Sequence, residues 1–349
     1  MLKRQPRILL IYTGGTIGMI ENPETKALEP FDFTHLIDNV PKIKLLNYRI
    51  DNISFEPPID SSDMNPAHWI DIARTIEQNY AKYDGFVVLH GTDTMAYTAS
   101  ALSFMLENLA KPVIITGSQL PIGEVRTDGE ENLITAVQIA AARQSDGRPM
   151  VQEVAILFEN YLWRGNRATK RSADNFNAFK SHNYPELAKI GLGINFHEEA
   201  LLRPTHSTDV PVKANLSLDT SVMVIDLFPG IDSRTLRHQL ACPGIKGIVL
   251  KTYGAGNAPT ARWFTDAISE CIARGVIVLN VTQCVNGSVT RIYASGNALA
   301  KAGAISGFDM TTEAALTKMM HLFGRGLPTE DVKAWLGQSL RGELTRPQS

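Results

Sequence analysis

Short apolar runs rich in β-branched residues alternate along this chain with longer segments whose apolar residues recur at helical spacing. The first run, Arg7-Ile8-Leu9-Leu10-Ile11-Tyr12, ends in Thr13-Gly14-Gly15-Thr16, where two glycines permit a tight turn. Asn65-Pro66 then opens a helix, Asn as N-cap and Pro at the first helical position, with Trp69, Ile70, Ala73, Ile76 and Tyr80 on one face. A second strand over residues 85–90 leads through Gly91-Thr92-Asp93-Thr94 into a helix burying Met95, Ala99, Leu102, Met105 and Leu106. A third over 112–116 ends at Gly117-Ser118. Three strands thus finish in small polar residues, and in open parallel sheets the ligand crevice lies outside the carboxyl ends of the strands.

The pattern predicts an α/β protein of two domains, each a largely parallel sheet flanked by helices, the larger one N-terminal. Between about residues 196 and 218 the periodicity gives way to mixed charge, Pro204 and Pro211, so domains are expected at 1–195 and 219–349 with a surface linker between them. In the second, strands are predicted at 222–227, 248–250 and 276–279, and helices near 232–240, 260–274 and 311–324.

Composition narrows the partners. Lys and Arg together number 34 against 36 Asp and Glu, and no basic run interleaves with aromatics, so no nucleic-acid partner is expected. No stretch approaches the roughly 18 apolar residues of a membrane span, and no small-residue cleavage site follows the first apolar run, so neither membrane insertion nor export is expected. Three cysteines, Cys242, Cys271 and Cys284, lack C-x-x-C spacing and suit a reducing, cytoplasmic compartment.

Each polar tip has a plain and a chemical reading. Thr13-Gly14-Gly15-Thr16-Ile17-Gly18 fits neither G-x-G-x-x-G nor a Walker loop. Thr16 either ends a strand turn or is a nucleophile beside backbone N–H groups bared by glycines. Asp60-Ser61-Ser62-Asp63 and Gly91-Thr92-Asp93-Thr94 are capping residues, or donors and acceptors for an amino-acid substrate. Lys170, near Arg167 and Arg171, reads as a solvated surface lysine unless it is buried beside Thr92.

Taken together, Thr13 to Gly18, Asp60-Ser61-Ser62-Asp63-Met64, His90-Gly91-Thr92-Asp93-Thr94-Met95 and Ala168-Thr169-Lys170 resemble the signature set of bacterial-type L-asparaginases in order and spacing. Tyr253 to Pro259 and Thr282-Gln283-Cys284 extend the similarity, which is greatest to the cytoplasmic type I branch. The resemblance implies hydrolysis of L-asparagine to L-aspartate and ammonia, without a cofactor or metal, in a homotetramer. It implies that Thr16 attacks the amide carbon and that Gly15 and Thr92 offer N–H groups to the oxyanion. The resemblance also assigns Thr92, Asp93 and Lys170 to a proton-handling triad, and Asp60, Ser61 and Ser62, with Asp93, to the amino-acid clamp. Which threonine attacks first is left open.

Two departures matter. Secreted relatives carry a lid tyrosine, whereas the stretch 20–30 here has none, so Tyr293 is the candidate partner of Thr16. Those relatives also place Gln after the binding serine and lend a Glu from a neighbouring subunit; Ser62 and the absence of any acid from 286 to 302 imply a weaker ammonium clamp. Resemblance to type I enzymes raises an effector site of Thr169, Lys251 and Cys284, though Lys251 lacks the planar fork that grips a carboxylate twice, so weak or absent sigmoidality is expected. Two rival readings are an asparaginase-like subunit of a tRNA amidotransferase, which would be expected to carry an added N-terminal domain, and a non-catalytic asparagine sensor.

Overall fold

In the computed structural model residues 4–21, 28–30, 40–204, 210–290 and 294–346 are described, and the chain divides into two compact units, Met1–Leu216 and Ser217–Ser349. The strands of the first unit are β1 (Arg7–Tyr12), β2 (Met19–Glu21), β3 (Leu28–Pro30), β4 (Arg49–Ser54), β5 (Gly85–Leu89), β6 (Leu106–Glu107) and β7 (Val113–Thr116). They continue as β8 (Val154–Phe158), β9 (Tyr161–Arg164), β10 (Ala168–Lys170), β11 (Phe179–Ser181), β12 (Ala188–Ile190), β13 (Ile194–Phe196) and β14 (Lys213–Ala214).

One sheet runs in the order β13-β12-β9-β8-β7-β5-β1-β4. The strands from β4 to β8 pair parallel, and β9, β12 and β13 add an antiparallel flank. Strands β1, β5, β7 and β8 are buried on both faces, as their near-continuous apolar sequences require, while the edge strand β4 stays partly exposed. Ile8, Leu10 and Tyr12 share a core with Val87, Leu89, Ile114 and the inner face of helix Gly129–Ala141. Leu9 and Ile11 alternate to the opposite face, and both are fully buried. Helix Pro66–Asn79 is capped by Asn65, whose side chain accepts from Ala67 N, and it buries Trp69, Ile72, Ala73 and Ile76. These match the face predicted from the sequence except that Ile72, not Ile70, is buried.

The chain passes from β1 outward to β4 and then returns across β1 to β5, so the direction of winding reverses between β1 and β5. The crevice of an open α/β sheet opens outside the carboxyl ends of two strands related in this way. Thr13 to Thr16 and Gly91 to Asp93 occupy those two loops.

The stretch 196–218 is partly built into the first unit: Glu198–Ala200 forms a 3₁₀ turn and β14 pairs with β6. The second unit holds a parallel sheet of β15 (Val222–Asp226), β16 (Gly247–Thr252), β17 (Ile277–Thr282) and β18 (Ile305–Ser306) in that order. Helices Ser233–Leu240, Arg262–Ala273 and Thr312–Gly324 bury Leu236, Phe264, Ile268 and Met319 in its two cores. The α/β reading of both halves therefore holds. Among the described residues no helix is long and apolar enough to cross a membrane.

Candidate active site

Glycine is what lets three loops meet at the switch point. Gly15 has φ 91°, and a Cβ on it would lie 2.5 Å from Gly91 N. A Cβ on Gly14 would lie 2.1 Å from Ile59 O, and one on Gly91 would lie 2.5 Å from Ser61 Oγ. Backbone thus touches backbone between the tips of β1 and β5, with the 59–62 loop closing the third side. Thr13 supports the contact: its N–H and its hydroxyl both donate to Leu89 O, at 3.0 and 2.9 Å, while Ile59 N donates to Thr13 O at 2.7 Å.

Thr16 begins a 3₁₀ turn, Thr16–Gly18, that rests on Tyr12, whose hydroxyl donates to Gly18 O at 3.1 Å. Burial pushes the Tyr12 phenol up to about 12, so it stays a donor. Thr16 itself is half-buried, and its hydroxyl makes no hydrogen bond among the described residues. Such a group is open to a ligand.

The 59–62 loop is ordered by Asp60, which accepts from both Ser62 N and Ser62 Oγ at 2.9 Å. Those bonds, the backbone one first, hold the Asp60 carboxyl below its usual range. Asp60 and Ser62 are exposed, and Ser61 is buried against Gly91. Helix Met95–Met105 has Thr94 at its N-cap position, but Thr94 makes no side-chain cap bond and instead donates to Ser61 O at 2.7 Å. Capping of that helix therefore does not explain Thr94.

Lys170 comes from the far side, at the end of β10, paired with β11. Its Nζ donates to Thr92 Oγ1 at 2.8 Å and to Asp93 Oδ1 at 2.6 Å. The lysine side chain is 17% exposed and that of Asp93 63%, so the amine is drawn into the wall while the carboxylate stays open to solvent. The basic-patch reading of Lys170 fails for this reason.

One support escapes sequence reasoning. His90 is 1% exposed, and burial brings its imidazole down to about 4, so it is neutral. Gly91 O, 2.6 Å from Nδ1, can only accept, which puts the hydrogen on Nδ1 and leaves Nε2 to accept from Thr98 Oγ1 at 2.8 Å. Thr98 Oγ1 accepts in turn from Trp69 Nε1 at 3.0 Å. Two helices thereby brace the loop that presents Thr92.

Tyr293 lies outside the described residues. Thr169 precedes Lys170 on β10. In the second unit Lys251 Nζ pairs with Asp226 Oδ2 at 2.5 Å, and exposed Cys284 donates its N–H to Thr282 Oγ1 at 3.0 Å.

A parallel α/β crevice with glycine-packed tips and a Thr-Lys-Asp cluster has a family counterpart. The family model described as asparaginase, N-terminal, matches residues 7–202, and that described as glutaminase/asparaginase C-terminal domain matches residues 221–336. The chain belongs to the asparaginase family. It is 43% identical to L-asparaginase 1 of Escherichia coli strain K12, a match covering 97% of this chain and 98% of that protein. It is 40% identical to the mouse 60 kDa lysophospholipase, over 98% of this chain and 63% of that protein. The crystal structure of L-asparaginase I from Vibrio cholerae aligns with TM-score 0.87 at 42% identity, covering 98% of this chain and 100% of the other.

Proposed function

We propose that this protein hydrolyses the side-chain amide of L-asparagine to L-aspartate and ammonia, with Thr16 as nucleophile and an acyl-threonine ester as intermediate. The contact of Lys170 Nζ with both Thr92 Oγ1 and Asp93 Oδ1 carries the reading, because it joins an amine, a hydroxyl and an open carboxylate at the mouth of the crevice that Thr16 borders.

Thr16 Oγ1 adds to the amide carbon, and the oxyanion takes the N–H groups of Gly15 and Thr92. The Thr92–Lys170 pair manages the protons that leave the Thr16 hydroxyl and reach the departing nitrogen. Ammonia leaves, and water cleaves the ester to return Thr16. Asp93 accepts from the substrate's α-ammonium, while the Ser61 hydroxyl donates to its carboxylate and Ser62, whose own hydroxyl donates to Asp60 Oδ1, completes the clamp with Asp60.

The family resemblance further supports a homotetramer in the cytoplasm, and three free cysteines accord with that compartment. The test is ammonia release by purified protein. Turnover of asparagine that vanishes in Thr16→Ala is expected. Near wild-type turnover in that variant would remove Thr16 as nucleophile, and binding of asparagine without ammonia release would favour a sensor.

A further inference from the structure

Beyond β7 the chain runs through Gly117-Ser118-Gln119-Leu120, and its course there is set by the half-buried Asp128 and the buried Asn132. A Cβ on Gly117 would lie 2.2 Å from His90 O, so the tips of β5 and β7 are in backbone contact. Asp128 then holds the next two residues: Gln119 N donates to Asp128 Oδ1 and Oδ2, both at 3.0 Å, and Leu120 N donates to Asp128 Oδ1 at 3.1 Å. Asn132 Nδ2 adds bonds to Gly117 O at 3.0 Å and to Asp128 Oδ2 at 3.2 Å. Hydrogen bonds to a carboxylate are the stronger kind, so the root of the Gln119 side chain is fixed.

From that root the amide reaches two places. Its Nε2 donates to Asn175 O at 3.0 Å and to Ala173 O at 3.3 Å, both in the loop that follows Lys170. Its Oε1 faces Thr92 Oγ1 at 3.5 Å, the outer limit of a hydrogen bond. The loop has its own frame, Ser172 Oγ to Asp174 Oδ1 at 3.1 Å and Arg171 N to Ala178 O at 2.8 Å, so a tie at 173–175 is passed to Lys170 through a hydrogen-bonded turn. Lys170 donates to Thr92 Oγ1, so the threonine's own hydrogen is free to point at Gln119 Oε1.

We propose that Gln119 is a positioning residue for the Thr92–Lys170 pair, tying the loop after Lys170 to the tips of β5 and β7 and orienting the Thr92 hydroxyl. The inference rests on the hydrolytic reading above. It needs an amide: two donors meet carbonyls on one side, and an acceptor meets a hydroxyl on the other.

Steady-state kinetics on full-length Gln119→Ala and Gln119→Glu test it, with wild type and Thr16→Ala as controls. Gln119→Ala is expected to lower kcat about 10- to 100-fold, the scale of a small misplacement of catalytic groups, with KM for asparagine within about twofold. Gln119→Glu keeps the acceptor but sets a carboxylate against two carbonyl oxygens. Protonation restores a donor, so the ratio of variant to wild-type kcat should rise as pH falls from about 8 to about 5. A structural contact alone would not give that pH signature. A flat ratio, or kcat within twofold of wild type in Gln119→Ala, overturns the proposal. A raised KM with kcat unchanged also overturns it, by making Gln119 a substrate-binding residue. If wild type turns over and Thr16→Ala does not, these failures concern Gln119 alone; if wild type releases no ammonia, the hydrolytic reading fails and takes this inference with it.

Discussion

Losing the Thr92 hydroxyl or the Lys170 amine should silence the enzyme as fully as losing Thr16. Thr92→Ala removes the acceptor of a 2.8 Å bond, and Lys170→Met removes its donor, so each breaks the same unit. Each is expected to lower kcat on the order of 10³-fold or more, and the double variant to be little worse than either single one, because groups acting together are non-additive. Multiplicative losses in the double variant would show that the two act independently. Substrate length is read at the same scale. A clamp on the α-groups leaves glutamine one methylene too long, so its kcat/KM should fall by about 10²-fold relative to asparagine; equal values would refute the clamp. Thr16, Thr92 and Asp93 were legible because small polar residues at strand tips mark the crevice. Lys170 was not legible from the residues alone, since an amine among Arg167 and Arg171 reads as solvated until the β10–β11 pairing turns it toward Thr92.

The loops at the strand ends work as one element because glycine lets their backbones touch. Gly117→Ala would place a Cβ 2.2 Å from His90 O, a backbone atom that cannot swing aside, so the tips of β5 and β7 must part. Overpacking of this kind costs about 1–3 kcal/mol, and the shifted β5 tip carries Thr92, so a lower melting midpoint and a lower kcat should appear together. Gly191→Ala is the control, since a Cβ there meets nothing within 4 Å. An unchanged midpoint in Gly117→Ala would mean that the tips need not touch. The apolar runs announced β1, β5 and β7 with their ends nearly in place. The antiparallel flank of β9, β12 and β13 and the β10–β11 pair went unread, because strands of three or four residues span too few positions for period-two alternation to emerge, and only their partners define them.

Across the whole molecule, each unit keeps a buried histidine uncharged, His90 in the first and His321 in the second. Burial is the main cause in both, lowering His90 to about 4 and His321 to about 3 from an ordinary 6.5. An unfolded chain would protonate both near pH 6.5 while the folded protein would not, so the unfolded state binds more protons and stability falls as pH drops below that value. Each histidine contributes up to about 1.4 kcal/mol per pH unit, so about 3 kcal/mol per unit of the fold is lost by pH 4. Above pH 6.5 neither histidine contributes a slope. Denaturant titrations at several pH values check this, with probes reporting each unit. His90→Gln, which stays neutral and keeps a donor and an acceptor, should flatten the acid dependence of the first unit only, and His321→Gln that of the second. Parallel stability curves for wild type and His90→Gln between about pH 6.5 and 4 would mean that His90 takes up its proton without unfolding, and that the brace it forms from Trp69 through Thr98 to Gly91 survives charging.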